Sequence, residues 1–212
     1  MPKIKLPHRS PHIDMTPMVD TFCVVLTFLL LTSTMRQPEP ANVDTPFSIS
    51  EITTPDFNTM TFLLSPDGKV YMNFDNGHDT LLKYRPKILA EMGKRYGIEF
   101  TESELRKFEK QKSSMGVPIV QMKEWLNTND NNLKKSLQTG IPLDSVDNQL
   151  ASWILYARQV NPQIQACIKG DTKTGFDTVE KLLDILQDKN VNRFSLITSL
   201  ETAKINLDEI QQ

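Results

Sequence analysis

A single carboxylate inside a long uncharged segment restricts the fold of this chain more than any other feature. Residues 15–35 read MTPMVDTFCVVLTFLLLTSTM, and Asp20 is their only charged residue. A helix of that length rises roughly 31 Å, which matches the hydrocarbon thickness of a bilayer. Pro17 falls in the first turn, where its missing N–H costs little, and Pro38 marks the end of the pattern. The sequence therefore predicts one transmembrane helix over residues 15–36.

Basic residues on either side of the segment predict its orientation. Three of them precede it, whereas Arg36 is the only Lys or Arg between the segment and Lys69. The positive-inside rule therefore predicts a cytoplasmic N-terminus over residues 1–14, with the rest of the chain on the other side of the membrane. A cleaved signal peptide is the alternative, but Asp20 and a poor cleavage sequence at residues 32–34 disfavour it.

Polar side chains recur within the segment at helical spacing. On a helix, Asp20 shares one face with four polar or small side chains, Thr16, Cys23, Thr27 and Thr34. We refer to these five residues as the polar seam. Burying a carboxylate mid-span costs about 2.5–3.5 kcal/mol on insertion scales, and an acid found there is a functional candidate by default. The seam predicts that Asp20 carries protons; a hydrated interfacial acid and an acid that joins helices are the alternatives.

One helix cannot enclose a water path or satisfy its own carboxylate within lipid. The polar seam therefore also predicts partner helices, supplied by a second copy, by a multi-span protein, or by both.

The remainder of the chain reads as a linker and a small α/β domain. Residues 37–56 contain four prolines and no Lys or Arg, which predicts an extended linker; within it, residues 47–52 could add as a strand to a sheet edge. Residues 60–74 predict a hairpin around a Pro-Asp-Gly turn. The C-terminal part then predicts a strand, a helix and a strand at 163–169, 175–190 and 194–201. The predicted apolar face of that helix consists of Phe176, Val179, Leu182, Leu183 and Leu186.

A helical insertion is predicted at residues 79–160, inside a domain that covers residues 57–212. Thr101 and Glu104 form a capping box that opens one helix. A second apolar pattern contains Ile119, Val120, Met122, Trp125 and Leu126, and a third starts near Asp144 and contains Val146, Leu150, Trp153, Ile154 and Ala157. Both tryptophans are predicted core anchors because their neighbours are apolar. The predicted fold is thus a single N-terminal transmembrane helix followed by an α+β sandwich domain with a helical insertion.

Composition and motifs argue against several classes of function. The net charge of -2 and the lack of a basic stripe disfavour a nucleic-acid partner. The three histidines are scattered, and the sequence lacks a glycine-rich phosphate loop and a nucleophile elbow, so no enzyme and no cofactor is predicted. Asp67, Asp75 and Asp79 read as turn residues rather than metal ligands. Cys23 and Cys167 are predicted to remain unpaired.

The order of these features resembles the ExbD/TolR family of energy-transducing membrane proteins. A short basic N-terminus leads into IxxTPxxD at residues 13–20, and one apolar segment, a proline-rich linker and a small α/β domain follow. The resemblance extends over residues 170–190 and, more loosely, over the hairpin at 60–74. The insertion at 79–160 departs from compact members and is similar to longer ExbD-like proteins of the Bacteroidota type.

The resemblance implies that Asp20 is the protonatable residue of a motor in a bacterial inner membrane, and that Thr16 and Pro17 have positioning roles at its cytoplasmic entrance. It implies that two copies of the lipid-embedded helix are held within a pentamer of a multi-span ExbB/TolQ-like partner. The bulk of the chain would then dimerise in the periplasm and act on a TonB-like protein that serves outer-membrane transport. A TolR-like role in envelope maintenance and a passive membrane-anchored scaffold are the alternatives.

Overall fold

The chain divides into two compact units, residues 1–37 and residues 38–212. The structure is a computed structural model. It describes residues 14–33, 39–50, 52–55, 57–76, 82–111, 113–143 and 147–200.

The described part of the first unit, residues 14–33, contains helix α1 (Thr16–Thr32), which has 17 residues. Its first turn contains the expected proline, and Ser33 leaves the helical conformation with ψ of 108°. The helix is therefore shorter than the predicted segment of residues 15–36, of which residues 34–36, including Thr34 of the polar seam, lie outside the described residues. Across the part of the chain that the structure describes, no helix is long and apolar enough to cross a membrane.

The described residues of the second unit form the strands β1 (Phe47–Ser48), β2 (Thr59–Leu64), β3 (Val70–Phe74), β4 (Gln165–Gly170), β5 (Phe194–Leu196) and β6 (Ser199–Leu200). The main sheet has the order β3-β2-β4-β5, with β2 antiparallel to β3 and the other two pairs parallel. Strands β1 and β6 form a separate parallel pair. The hairpin predicted at 60–74 is confirmed.

Helices fill the chain between β3 and β4. They are α2 (Tyr84–Tyr96), α3 (Glu102–Lys110), a 3-10 helix (Ile119–Gln121), α4 (Met122–Asn127), α5 (Asn131–Ser136) and α6 (Gln149–Val160), and α7 (Phe176–Asp188) follows β4. The capping box is confirmed, since Glu104 N–H donates to the Thr101 hydroxyl and Thr101 N–H donates to the Glu104 carboxylate. Helix α2 ends at Gly97, whose φ of 67° is the left-handed conformation that glycine favours at this position.

The core joins the sheet to these helices through large apolar side chains. Trp153 of α6 is 0% exposed and lies between Phe74 and Phe108, with ring centroids 5.7 Å and 6.4 Å away. Trp125 is 2% exposed, so both predicted core anchors are confirmed. Strand β4 departs from strict alternation, because Cys167 is buried as well as its neighbours. A central strand is covered on both faces, and this explains the longer apolar run.

Several predicted elements differ in extent from the structure. The strand at 47–52 contains only Phe47–Ser48, and the strand at 194–201 is divided into β5 and β6. Helix α6 begins at Gln149, after an Asn148 cap, rather than near Asp144. Two predicted core side chains are instead exposed, Phe176 at 72% and Val120 at 73%. Val146, Asp79 and the three histidines lie outside the described residues.

Candidate functional site

Helix α1 arranges four of the five polar-seam residues on one face. Thr16, Asp20, Cys23 and Thr27 follow one another at spacings of four, three and four residues along a continuous helix. The described protein buries no residue of α1. The side chains of Asp20 and of the apolar residues of α1 are therefore exposed.

The hydroxyl groups of α1 are bonded within the helix or at its start. Thr27 donates to the Val24 carbonyl at 2.9 Å, and Thr21 donates to the Pro17 carbonyl at 2.8 Å. The described seam residues therefore share a face, but the hydroxyls of Thr16 and Thr27 are not directed at Asp20, for which the described residues provide no hydrogen-bond partner. A carboxyl group in this position can accept hydrogen bonds from another chain or from water.

Asp14 is a residue of this region that the sequence reasoning missed. Its carboxylate accepts the backbone N–H of Thr16 at 3.0 Å and also the Thr16 hydroxyl. These hydrogen bonds hold the pKa of Asp14 below its usual value, with the hydroxyl bond as the larger cause. An Asp two residues before a Thr-Pro helix start is a recognisable N-terminal signal. Asp14 therefore fixes the start of the helix that carries Asp20.

In the second unit, part of the predicted linker lies against the end of β4. Glu39 forms an ion pair with Lys169, with an Oε1 to Nζ distance of 2.8 Å. Asp44 N–H donates to the Asp171 carboxylate at 2.7 Å, and Thr172 N–H donates to the Asp44 carbonyl at 3.0 Å. The backbone N–H groups of Lys173 and Asp44 lower the pKa of the Asp171 carboxyl. The chain is thus attached well before its first core strand, β2.

Strands β1 and β6 continue this attachment. Phe47 is opposite Ser199 in their parallel register, and Ser199 N–H donates to the Pro46 carbonyl at 3.0 Å. The hydroxyls of Thr45 and Ser199 are 2.6 Å apart. We call residues 39–48, with their contacts to Lys169, residues 171–172 and residues 199–200, the linker clasp.

Residues of the helical region close the outer edge of β3. The backbones of Met72 and Met115 exchange two hydrogen bonds, of 2.8 and 2.7 Å, and Ile141 N–H donates to the Val70 carbonyl at 2.8 Å. Arg85, which is buried, donates to the Phe74 carbonyl at 2.5 Å. Burial lowers the pKa of this guanidinium, although Asp75 opposes the effect. Strand β3 consequently has its backbone groups paired on both sides.

Over the ranges that the structure describes, no cluster of His, Cys, Asp or Glu side chains is arranged to hold a metal ion. Asp67 lies in the turn between β2 and β3, and Asp75 accepts the N–H of Asn58 at 2.9 Å. Asp67 therefore lies in a turn, as predicted, and the Asp75 carboxylate has a structural role because it accepts a backbone N–H. Cys23 and Cys167 are both free cysteines, and burial raises the pKa of the Cys167 thiol.

Comparison with protein families gives a match that covers most of the chain. The model of the family described as biopolymer transport protein ExbD/TolR matches residues 7–201, a range that includes α1, the sheet and the helices between β3 and β4. Searches of curated proteins and of solved structures give no match. Members of the family are non-enzymatic subunits of transport motors and work with partners of the ExbB/TolQ type. The chain therefore belongs to the ExbD/TolR family of biopolymer transport proteins.

Proposed function

We propose that the chain is the ExbD-type subunit of a proton-motive-force-driven motor in the bacterial inner membrane, and that it energises TonB-dependent transport across the outer membrane. The observation that carries this proposal is Asp20, the only charged residue of α1, in a chain of this family. Residues 15–36 would cross the membrane once, residues 1–14 would lie in the cytoplasm, and the second unit would lie in the periplasm.

The proposed mechanism uses Asp20 as a carrier between two aqueous compartments. Its carboxyl group would take a proton on one side of the membrane and release it on the other as the surrounding helices rearrange. Each proton that moves down the potential supplies about 2.3 kcal/mol per 100 mV. Thr16 and Pro17 support this role by starting the helix one turn before Asp20, and the Asp14 carboxylate accepts the N–H of Thr16.

Partner helices are a requirement of this mechanism. No residue of α1 is buried, and a carboxylate inside lipid needs a polar neighbour or water. A pentameric ring of an ExbB/TolQ-like protein around two copies of α1 would supply both, with the polar seam facing the ring and the apolar side chains filling the remaining contacts. The second unit would then transmit the rearrangement to a TonB-like protein.

The test compares two identical changes of an acid to its amide. Asp20→Asn is expected to leave protein level and complex formation intact, and to abolish both proton conductance and energised uptake. Asp14→Asn is the matched control, because the asparagine Oδ1 can still accept the N–H and hydroxyl of Thr16 and the change lies outside residues 15–36. It is expected to retain uptake within about twofold, since these hydrogen bonds are kept and one of them contributes only about 1 kcal/mol. Normal uptake by Asp20→Asn would refute the motor role and would leave a passive anchored scaffold as the function.

A further inference from the structure

One end of the main sheet gathers the segments to which the linker clasp is attached. The C-terminal ends of β2, β4 and β5 meet there, because β4 is parallel to both of its neighbours. The hydroxyl of Thr174, two residues before α7, donates to the Leu64 carbonyl at this end at 3.4 Å. The linker clasp is attached at the same end through Asp171 and Ser199. The start of α7 and the linker clasp therefore lie at one end of the second unit.

This end carries most of the exposed large apolar side chains of the second unit. Among the described residues of that unit, seven such side chains are 61% or more exposed, and Val120 is the one that lies elsewhere. Ile52, Leu196 and Leu200 line one cavity of about 320 Å³. Exposed apolar side chains that are concentrated in this way mark an interaction surface, whereas scattered ones do not. We refer to the following six residues as the apolar end: Phe47, Ile49, Ile52, Phe176, Leu196 and Leu200.

The chain before the linker clasp is short. Glu39, the first residue of the clasp, forms its ion pair with Lys169, and residues 37 and 38 alone separate it from the predicted transmembrane segment at 15–36. Three residue steps extend over at most about 11 Å. In the proposed function a multi-span partner encloses α1. While the linker clasp is closed, the apolar end would therefore lie close to the surface of the partner from which the chain emerges.

Net charge does not determine what the apolar end binds. The exposed charged side chains around it have both signs, among them Asp67, Lys69 and Lys173, and the Glu39–Lys169 pair is neutral as a whole. Burial of apolar surface is then the main attraction, and it has no preferred direction, unlike a hydrogen bond. A contact of this kind can persist while two surfaces turn against each other, as the parts of a motor must.

We propose that the apolar end docks on the periplasmic surface of the multi-span partner that encloses α1, against an apolar and uncharged area of that surface. The inference rests on the proposed function, and it adds a second contact, outside the membrane, between the same two proteins. With the linker clasp closed, this contact would keep the second unit on the partner, so that a rearrangement of α1 reaches it through a short piece of chain.

Photo-crosslinking in cells from single positions of the full-length chain tests this contact. Benzoylphenylalanine at position 22, where Phe22 of α1 is 64% exposed, identifies the multi-span partner by the mass of its adduct. The same photoreactive residue at positions 47 and 176 replaces two phenylalanines of the apolar end by a side chain of related shape. Position 120 is the matched control, because Val120 is 73% exposed and lies in the helical region.

Positions 47 and 176 are expected to give an adduct with the protein that position 22 captures, and position 120 is expected to give none with it. Ile49→Glu puts a charge into the apolar end and is expected to abolish the adduct from position 176. Ile49 is 86% exposed and lies outside β1, so this change leaves the core and the strands intact. Val120→Glu makes the matched change in the helical region and is expected to retain the adduct from position 176.

Three other outcomes would overturn the inference. Adducts from positions 47 and 176 with a second copy alone, with residues 201–212 of the same chain, or with lipid would assign the apolar end to that occupant instead. Failure of both positions to capture the partner, while position 22 captures it, would overturn the docking and leave the proposed function standing. Failure of position 22 itself would overturn the enclosure of α1 and the docking with it.

Discussion

Gly116 provides the sharpest test of how the helical region closes β3. It follows Met115, whose backbone pairs with that of Met72, and it packs against the ring of Tyr71. A Cβ atom at position 116 would lie 2.2 Å from Cδ1 and 2.7 Å from Cε1 of that ring. Carbon atoms in contact normally lie about 3.5–4.0 Å apart, so the ring or the backbone must move to accept an alanine. Tyr71 is only 5% exposed, and its ring has little room to move.

The cost of Gly116→Ala follows from these distances. Overpacking a buried site by one methyl group costs about 1–3 kcal/mol. A shift of the backbone would also weaken the two Met72–Met115 hydrogen bonds, each worth about 1 kcal/mol. The smaller conformational entropy of alanine in the unfolded chain offsets about 0.4–1 kcal/mol. We expect the free energy of unfolding to fall by roughly 2–3 kcal/mol, which lowers Tm by roughly 4–12 °C for a unit of this size.

Thermal unfolding of the full-length chain in detergent, followed by far-UV circular dichroism, measures this change. Gly175→Ala is the matched control, because a Cβ atom there meets nothing within 4 Å and its φ of -61° suits any residue. The control is expected to lower Tm by less than Gly116→Ala, because its main cost is that alanine is a poorer residue than glycine at the N-cap of α7. Equal Tm values for the two variants would refute the claim that residue 116 must be glycine for the chain to close β3.

Two further predictions concern hydrogen bonds at Asp171 and Thr101. The pKa of Asp171 in the folded protein lies below its value in the unfolded chain. The hydrogen bond from the Asp44 N–H to the Asp171 carboxylate is therefore fully present at pH values above the unfolded pKa, and it is lost as the pH falls through the folded pKa. The protection factor of the Asp44 amide, in which the intrinsic pH dependence of exchange cancels, should fall over that acidic window, and Asp171→Asn, which cannot titrate, should make it independent of pH there; a fall unchanged by the substitution would contradict the assignment. Thr101→Ala removes the side-chain half of the capping box and should lower the free energy of unfolding by about 1 kcal/mol, whereas Thr101→Ser should leave it nearly unchanged. Equal urea midpoints for these two variants would contradict the role of the hydroxyl.

Local patterns predicted the elements that depend on neighbouring residues. The Pro-Asp-Gly turn and its flanking apolar runs predicted β2 and β3, and Thr101 with Glu104 predicted the start of α3. Helix α7 was predicted from its apolar spacing, but Phe176 lies outside the core because it is the first residue of the helix, before the part that packs on the sheet. Periodicity places a side chain on a face, and it does not determine where that face stops being covered.

Contacts between distant residues could not be predicted in the same way. Two contacts join positions far apart in the sequence. The backbone of Met72 pairs with that of Met115, and the Asp171 carboxylate accepts the N–H of Asp44. No local sequence pattern indicates either partner. At the candidate site, Asp20 and its face were evident from charge and spacing alone. Asp14 was missed, although its carboxylate accepts the N–H of Thr16 at the start of α1.

The linker clasp determines where a mechanical load would enter the second unit. Tension applied along the chain from residue 39 meets the Glu39–Lys169 ion pair first, then the Asp44 bonds to residues 171–172, and then the β1–β6 pair, before it reaches β2. Each contact is weak, at about 0–1 kcal/mol for an exposed ion pair, so the contacts would yield one after another at low force. Their release would add up to roughly 40 Å of extended chain between residues 44 and 57 while the main sheet stays folded. Under tension the linker clasp would thus open and lengthen the chain before the main sheet is strained.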